Sequence, residues 1–125
     1  MENIEQSSVV GYKRLIVWKE AHEFVLMIYK ATKSFPREEL FGLTSQIRRA
    51  AVSISANIVE GQARASRKEY VQFLHIANGS LVEVEYYLTL SKDLGYIGEE
   101  DYITLDAKRR YIGVLLHKLI ASLTH

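Results

Sequence analysis

A chain of 125 residues with a formal net charge of +1, 48% hydrophobic and 25% charged residues and a single proline is long enough for one packed domain and too apolar for a disordered tail. The absence of cysteine excludes a disulfide framework and thiolate metal sites or nucleophiles, and the near-neutral charge gives no general case for nucleic-acid binding. No apolar run approaches the roughly 18 residues of a spanning helix, and the N-terminus lacks the basic start and apolar centre of a signal peptide. No membrane segment is expected, and the cytoplasm is the expected compartment.

Residues 1–12 are polar and without periodicity, which predicts a flexible arm ahead of a bundle spanning 13–125. From Leu15 to Ser34, Trp18, Ala21, Val25, Ile28 and Thr32 recur at helical intervals, flanked by Val17 and Phe24. Ser34-Phe35-Pro36 ends that helix, because the residue before proline is driven out of the helical region and proline lacks a backbone donor. The connection that follows carries Phe35, Leu40 and Phe41. They are too apolar to lie idle on a surface, so the loop is expected to fold over the bundle end, against Tyr86, Tyr87 and Leu90.

The second helix, Leu43 to Gly61, is the most ordered pattern in the chain. Leu43, Ile47, Ala50, Ala51, Ile54 and Ile58 fall on one apolar stripe. Val52, Ala56 and Val59 make a small-residue line opposite it. Gln46, Arg49, Ser53, Asn57 and Glu60 run between the two. Gly61 suits the left-handed position that closes a helix. The second line faces either another copy of the chain or a neighbour within the bundle. Arg49, Ser53 and Asn57 are expected to meet Glu83 of the next helix in a polar network with a structural role.

Ser66 and Glu69 fit a capping box for a third helix of about 28 residues, through Tyr70, Leu74, Ala77, Leu81, Val84 and Leu88 to Asp93. Leu94-Gly95-Tyr96 is its expected cap. Gly79 and Ser80 lie mid-helix, where a glycine is best explained by close helix approach. Glu99, Glu100 and Asp101 suit the positive end of a fourth helix, whose inner face is read as Tyr102, Leu105, Ile112, Leu115, Leu116, Leu119 and Leu123. Four amphipathic helices with short connections predict an all-α, antiparallel up-down-up-down four-helix bundle.

The run FPREELFGLTSQIRRAAVSISANIVEGQAR followed by FLHIANGSLVEVE resembles the four-helix-bundle proteins encoded in intervening sequences of bacterial 23S ribosomal RNA genes. The resemblance covers roughly residues 12 to 120 and rests on Gly42-Leu43, Gln46, Arg49-Ala50, Ser53, Asn57, Glu60-Gly61, Arg64 and Gly79-Ser80 with Glu83. It implies assembly into a homo-oligomeric, pentameric ring. It also implies kinship to a retroelement accessory protein that binds a reverse transcriptase and nucleic acid. It implies no settled biochemical activity.

No catalytic constellation is legible. Glu83 and Glu85 diverge on a helix, the four histidines lack metal-ligand spacing to carboxylates, and Gly42, Gly61 and Gly79 stand apart from any phosphate loop. Neither catalytic residue, metal, cofactor nor small-molecule substrate is therefore predicted. The remaining signal is charge placement. From Glu69 to Asp106 there are eight acids and one base, Lys92, whereas the bases beyond Asp106 meet no acid. In an up-down topology Lys13, Arg14, Lys19, Arg64, Arg67, Lys68 and Lys118 gather at one end, offset in part by Glu20, Glu23, Glu60 and Glu69. Repeated around a ring, Lys13, Arg14, Arg64, Arg67, Lys68 and Lys118 would suit phosphate contact without reading sequence. The leading expectation is a non-enzymatic homo-oligomer that binds structured RNA or a nucleic-acid-handling protein. The alternative is a protein-interaction scaffold, without nucleic-acid binding, that docks a basic partner on the acidic region from Glu83 to Asp106.

Overall fold

A computed structural model describes residues 11–124, with the backbone alone at Arg14. The predicted arm lies, but for its last two residues, outside them. Four helices follow in order: α1 (Ile16–Thr32), α2 (Leu43–Gln62), α3 (Arg67–Asp93) and α4 (Glu99–Leu123), with 3-10 turns at Tyr12–Arg14 and Arg37–Glu39. There is no strand among the described residues. Each helix packs against two others, α1 closing the circle onto α4.

Cross-links at both ends of each pair give the directions. Between α2 and α3, Arg49 meets Glu83 at 3.4 Å near one end, and Gly61 lies against Phe73 at the other. Between α3 and α4, the Lys92 ammonium lies 4.5 Å from the Tyr102 ring centroid and Arg109 reaches Glu85 at 3.6 Å. Between α1 and α4, Lys108 holds Glu20 and Glu23, while Met27 and Ala31 share a groove with Thr104 and Leu105. Arg48 donates to Thr32 across α1 and α2, whose far ends are joined where Gly11 meets Gln62. Every pair is antiparallel, as the short connections require.

The apolar stripe of α2 is buried throughout: Ile47, Ala50, Ala51, Ile54 and Ile58 are at most 1% exposed. On α1 the core line is Val17, Ala21, Phe24 and Ile28, with Trp18 and Val25 half-buried beside it, so the inner face is rotated from the expected one. The α3 termini follow local chemistry. Ser66 Oγ accepts from the Glu69 N–H at 3.1 Å, and Gly95 takes a left-handed φ of 78°. The Tyr96 and Gly95 N–H groups then bond the carbonyls of Ser91 and Lys92, a Schellman closure. Glu69 completes its half of the cap on the Ser66 hydroxyl, at 3.3 Å.

Three local expectations are corrected. Gly61 is no helix terminator: it is helical and buried, and a Cβ there would meet Phe73 Cβ and Tyr70 Cδ1 at 2.9 Å. Gly79, read as the close-approach glycine, has nothing within 4 Å of its would-be Cβ. The α1–α2 connection also covers a different surface. Phe35 packs on Tyr96 with ring centroids 5.4 Å apart, and Tyr96 donates to Glu39 at 2.8 Å. Phe41, at 93% exposure, and Tyr86, at 61%, stay in solvent. The loop therefore closes the α3–α4 turn, because α4 begins close behind Gly95 and brings Tyr96 within reach.

Candidate functional site

The start of α1, the end of α2, the start of α3 and the end of α4 meet at one end of the bundle. Lys13, Lys19, Arg67, Lys68 and Lys118 are exposed there and, among the described residues, make no ion pair. The side chain of Arg14 lies outside the described residues. Arg64 is engaged: it bonds Glu60 at 2.7 Å, and its guanidinium lies 4.6 Å from the Phe73 ring centroid. Of the carboxylates expected to offset this end, Glu60 holds Arg64 and Glu69 stays exposed on the Ser66 cap, while Glu20 and Glu23 are committed elsewhere. Lys108 draws Glu20 and Glu23 to 2.6 and 2.7 Å. Burial alone would lower the lysine's pKa, but these two carboxylates outweigh it and hold the pKa above its ordinary value.

Three aromatic rings lie beside these cations. Tyr12 meets Trp18 edge-on at 5.0 Å, and Trp18 stacks on His22 at 5.0 Å with the planes 7° apart. Helical spacing alone allowed the Trp18–His22 stack, since i and i+4 share a face. It went unread because His22 was weighed only as a metal ligand.

Three acids of the stretch, Glu83, Glu85 and Asp106, are paired with arginines, whereas Glu69, Asp93, Glu99, Glu100 and Asp101 are exposed and, among the described residues, make no ion pair. Asp106, 5% exposed, accepts from Arg109 Nε at 2.8 Å and from Arg110 at 2.8 Å. Burial would raise this carboxyl's pKa, and the two guanidinium groups more than reverse that, leaving it below the usual carboxylate value. Glu85 faces Arg109. Glu83 takes both Arg49, at 3.4 Å, and the Tyr87 hydroxyl, at 3.0 Å. Burial first, then the Glu83 carboxylate, pushes the Tyr87 phenol up. In the sequence Asp106 is only the last of the eight acids counted from Glu69. Its burial comes from the α4 face turned toward the bundle.

The polar line of α2 divides in two. Ser53 Oγ pairs with Ser80 Oγ across the helices at 2.8 Å, and Asn57 Nδ2 donates to Ser53 Oγ and the Ser53 carbonyl. Arg49 and Glu83 form a separate, more exposed pair, with Gln46 as a second acceptor for Arg49. Glu83 does not bond Ser53 or Asn57. Its place at that level of the interface is taken by Ser80, which the sequence suggested only as a small packing residue.

Val52 and Ala56 are exposed on the outward side of α2, with Val59 half-buried. Across the Ser53–Ser80 contact, Ile76 on α3 is 52% exposed. Among the described residues no group of three or more His, Asp or Glu converges as metal ligands would, and no helix is long and apolar enough to cross a membrane.

The family model for the 23S rRNA-intervening sequence protein matches residues 13–118. The chain belongs to this family. Among solved structures, this family member is similar to a protein of unknown function of the S23 ribosomal protein family from Bacteroides thetaiotaomicron VPI-5482. The two share 32% identity over 85% of this chain and 96% of the other, with a TM-score of 0.79. A search of curated proteins returns no match.

Proposed function

We propose that this 23S rRNA-intervening sequence protein is a non-enzymatic bundle that self-associates through the outward face of α2 and presents its basic end to structured RNA. The observation that carries the reading is the asymmetry of charge use. Glu83, Glu85 and Asp106 are held by Arg49, Arg109 and Arg110, whereas Lys13, Arg67, Lys68 and Lys118 are unpaired at one end. Unpaired cations clustered on one face favour phosphate contacts that release counterions. The scaffold role would have to use Asp93, Glu99, Glu100 and Asp101, the acids of that region that stay exposed and, among the described residues, unpaired.

Self-association draws support from Val52 and Ala56, small apolar side chains exposed on the outward side of α2 that would let a second copy approach closely. A closed, pentameric ring follows the family resemblance and would repeat the cations around one rim.

Fluorescence anisotropy with a structured RNA at about 50 and about 200 mM salt tests the first element, since phosphate contacts weaken steeply over that range. Saturable, salt-sensitive binding is expected, with loss in the Lys13→Gln, Arg67→Gln, Lys68→Gln variant. Arg64 is left intact there because it is already bound to Glu60. Absence of binding at both salts sinks the RNA reading and leaves a protein partner.

A further inference from the structure

The opposite end of the bundle carries a second cationic feature that the sequence did not disclose. A cavity of about 300 Å³ opens between the α1–α2 connection and the first turn of α2. Lys33, Arg37 and Arg48 line it together with Phe35, Leu40 and Thr44, and no carboxylate does. Among the described residues none of the three cations makes an ion pair. Arg48 is positioned by neutral groups: its Nε donates to Thr32 Oγ1 at 2.8 Å, and its guanidinium lies 4.6 Å from the Tyr29 ring centroid. Its charge is therefore held in place without being compensated.

The neighbouring acid is engaged. Glu39 accepts from the Leu43 N–H at 3.1 Å through Oε1 and from the Tyr96 hydroxyl at 2.8 Å through Oε2. Because Glu39 already caps the first N–H of α2, attraction for an anion here rests on the side chains rather than on the helix terminus.

Thr44 also lines the cavity, at 3% exposure. Its counterpart across the cavity, Thr32, is satisfied by the Ile28 carbonyl and by Arg48.

We infer that this cavity binds the phosphate monoester of a nucleotide, either free or as the 5′-phosphorylated end of an RNA. A monoester carries a charge between about −1.5 and −2 at neutral pH, which three cations without a carboxylate suit better than the single charge of a carboxylate ligand. The guanidinium groups of Arg37 and Arg48 match phosphate oxygens as planar donors, and Lys33 adds a point charge. Phe35 with Leu40 receives the apolar portion of the ligand. The volume lies at the lower bound for small-ligand pockets, about 300 Å³. This site lies at the other end of the bundle from Lys13, Arg67 and Lys68 and does not rest on RNA binding there.

Isothermal titration of the full chain with AMP tests it, followed by displacement with two RNA oligomers of one sequence, 5′-phosphorylated and 5′-hydroxyl. Saturable AMP binding is expected, falling at least about tenfold in the Lys33→Gln, Arg37→Gln variant, whose substituted side chains are exposed and unpaired. Displacement by the phosphorylated RNA alone assigns the site to RNA ends, and displacement by neither RNA assigns it to free nucleotide. No heat with AMP and no preference for the phosphorylated RNA overturns the inference, as does equal binding by the Lys33, Arg37 variant.

Discussion

A Cβ built on Gly61 falls 2.9 Å from Phe73 Cβ, so the last turn of α2 and the start of α3 touch backbone to side chain. Phe73 Cβ cannot swing away as the tip of a flexible side chain could. Gly61→Ala is therefore expected to destabilise the fold by about 1–3 kcal/mol despite alanine's higher helix propensity. Gly79→Ala, at a helical position open to solvent, is expected to stabilise it by about 0.5–1 kcal/mol. Urea unfolding of both variants beside the wild type checks the opposite signs. Equal signs would mean that the close approach at Gly61 is absent.

Asp106 gives the fold a defined acid sensitivity. Its carboxyl titrates below the ordinary value of 3.8. A group whose pKa is depressed on folding contributes stability above its unfolded pKa and loses that contribution as pH falls through the folded value. Asp106→Asn is expected to cost about 2–3 kcal/mol at pH 7, because Arg109 keeps only the distant Glu85. The gap between wild type and variant should close as pH drops below about 3.8, where the wild-type carboxyl protonates. Urea midpoints at neutral pH and under acid compare the two proteins directly, and a gap that persists in acid would show that charge is not its source.

Phe35 and Phe41 stand six residues apart in one connection with opposite roles. Phe35 is 8% exposed and packs on Tyr96, whereas Phe41 is 93% exposed. Phe35→Ala is expected to cost about 3 kcal/mol and Phe41→Ala less than about 0.5 kcal/mol, read from thermal or urea unfolding. A large loss at Phe41 would place that ring in an interface absent from the single chain.

Ile54 and Val52 separate core from outer face on one helix. Ile54 is fully buried, so Ile54→Asp places a carboxylate without a partner in the core and should abolish folding. Val52 is 40% exposed, and Val52→Asp should keep its circular dichroism while lowering the mass found by sedimentation. A folded Val52→Asp protein of unchanged mass removes the outward face of α2 from the assembly.

What the sequence determined alone was local. Spacing of three and four residues located all four helices, and the stripe from Leu43 to Ile58 turned out to be buried at every position. Ser66 and Gly95 marked the two ends of α3 because caps act within a single turn. The gathering of Lys13, Arg67, Lys68 and Lys118 at one end also followed, since short connections force neighbours to run antiparallel.

Only the tertiary structure decided which side chains meet across helices. Lys108 and Glu20 lie 88 residues apart in the chain, yet their contact draws the acids away from the basic end. The close approach at Gly61 rather than at Gly79, and the burial of Asp106, depend on what the facing helix presents at that level. Periodicity along one helix carries no such information. The cavity holding Lys33, Arg37 and Arg48 was hidden for the same reason: its cations come from a helix end, a turn and a second helix, and converge only when α1 and α2 pack.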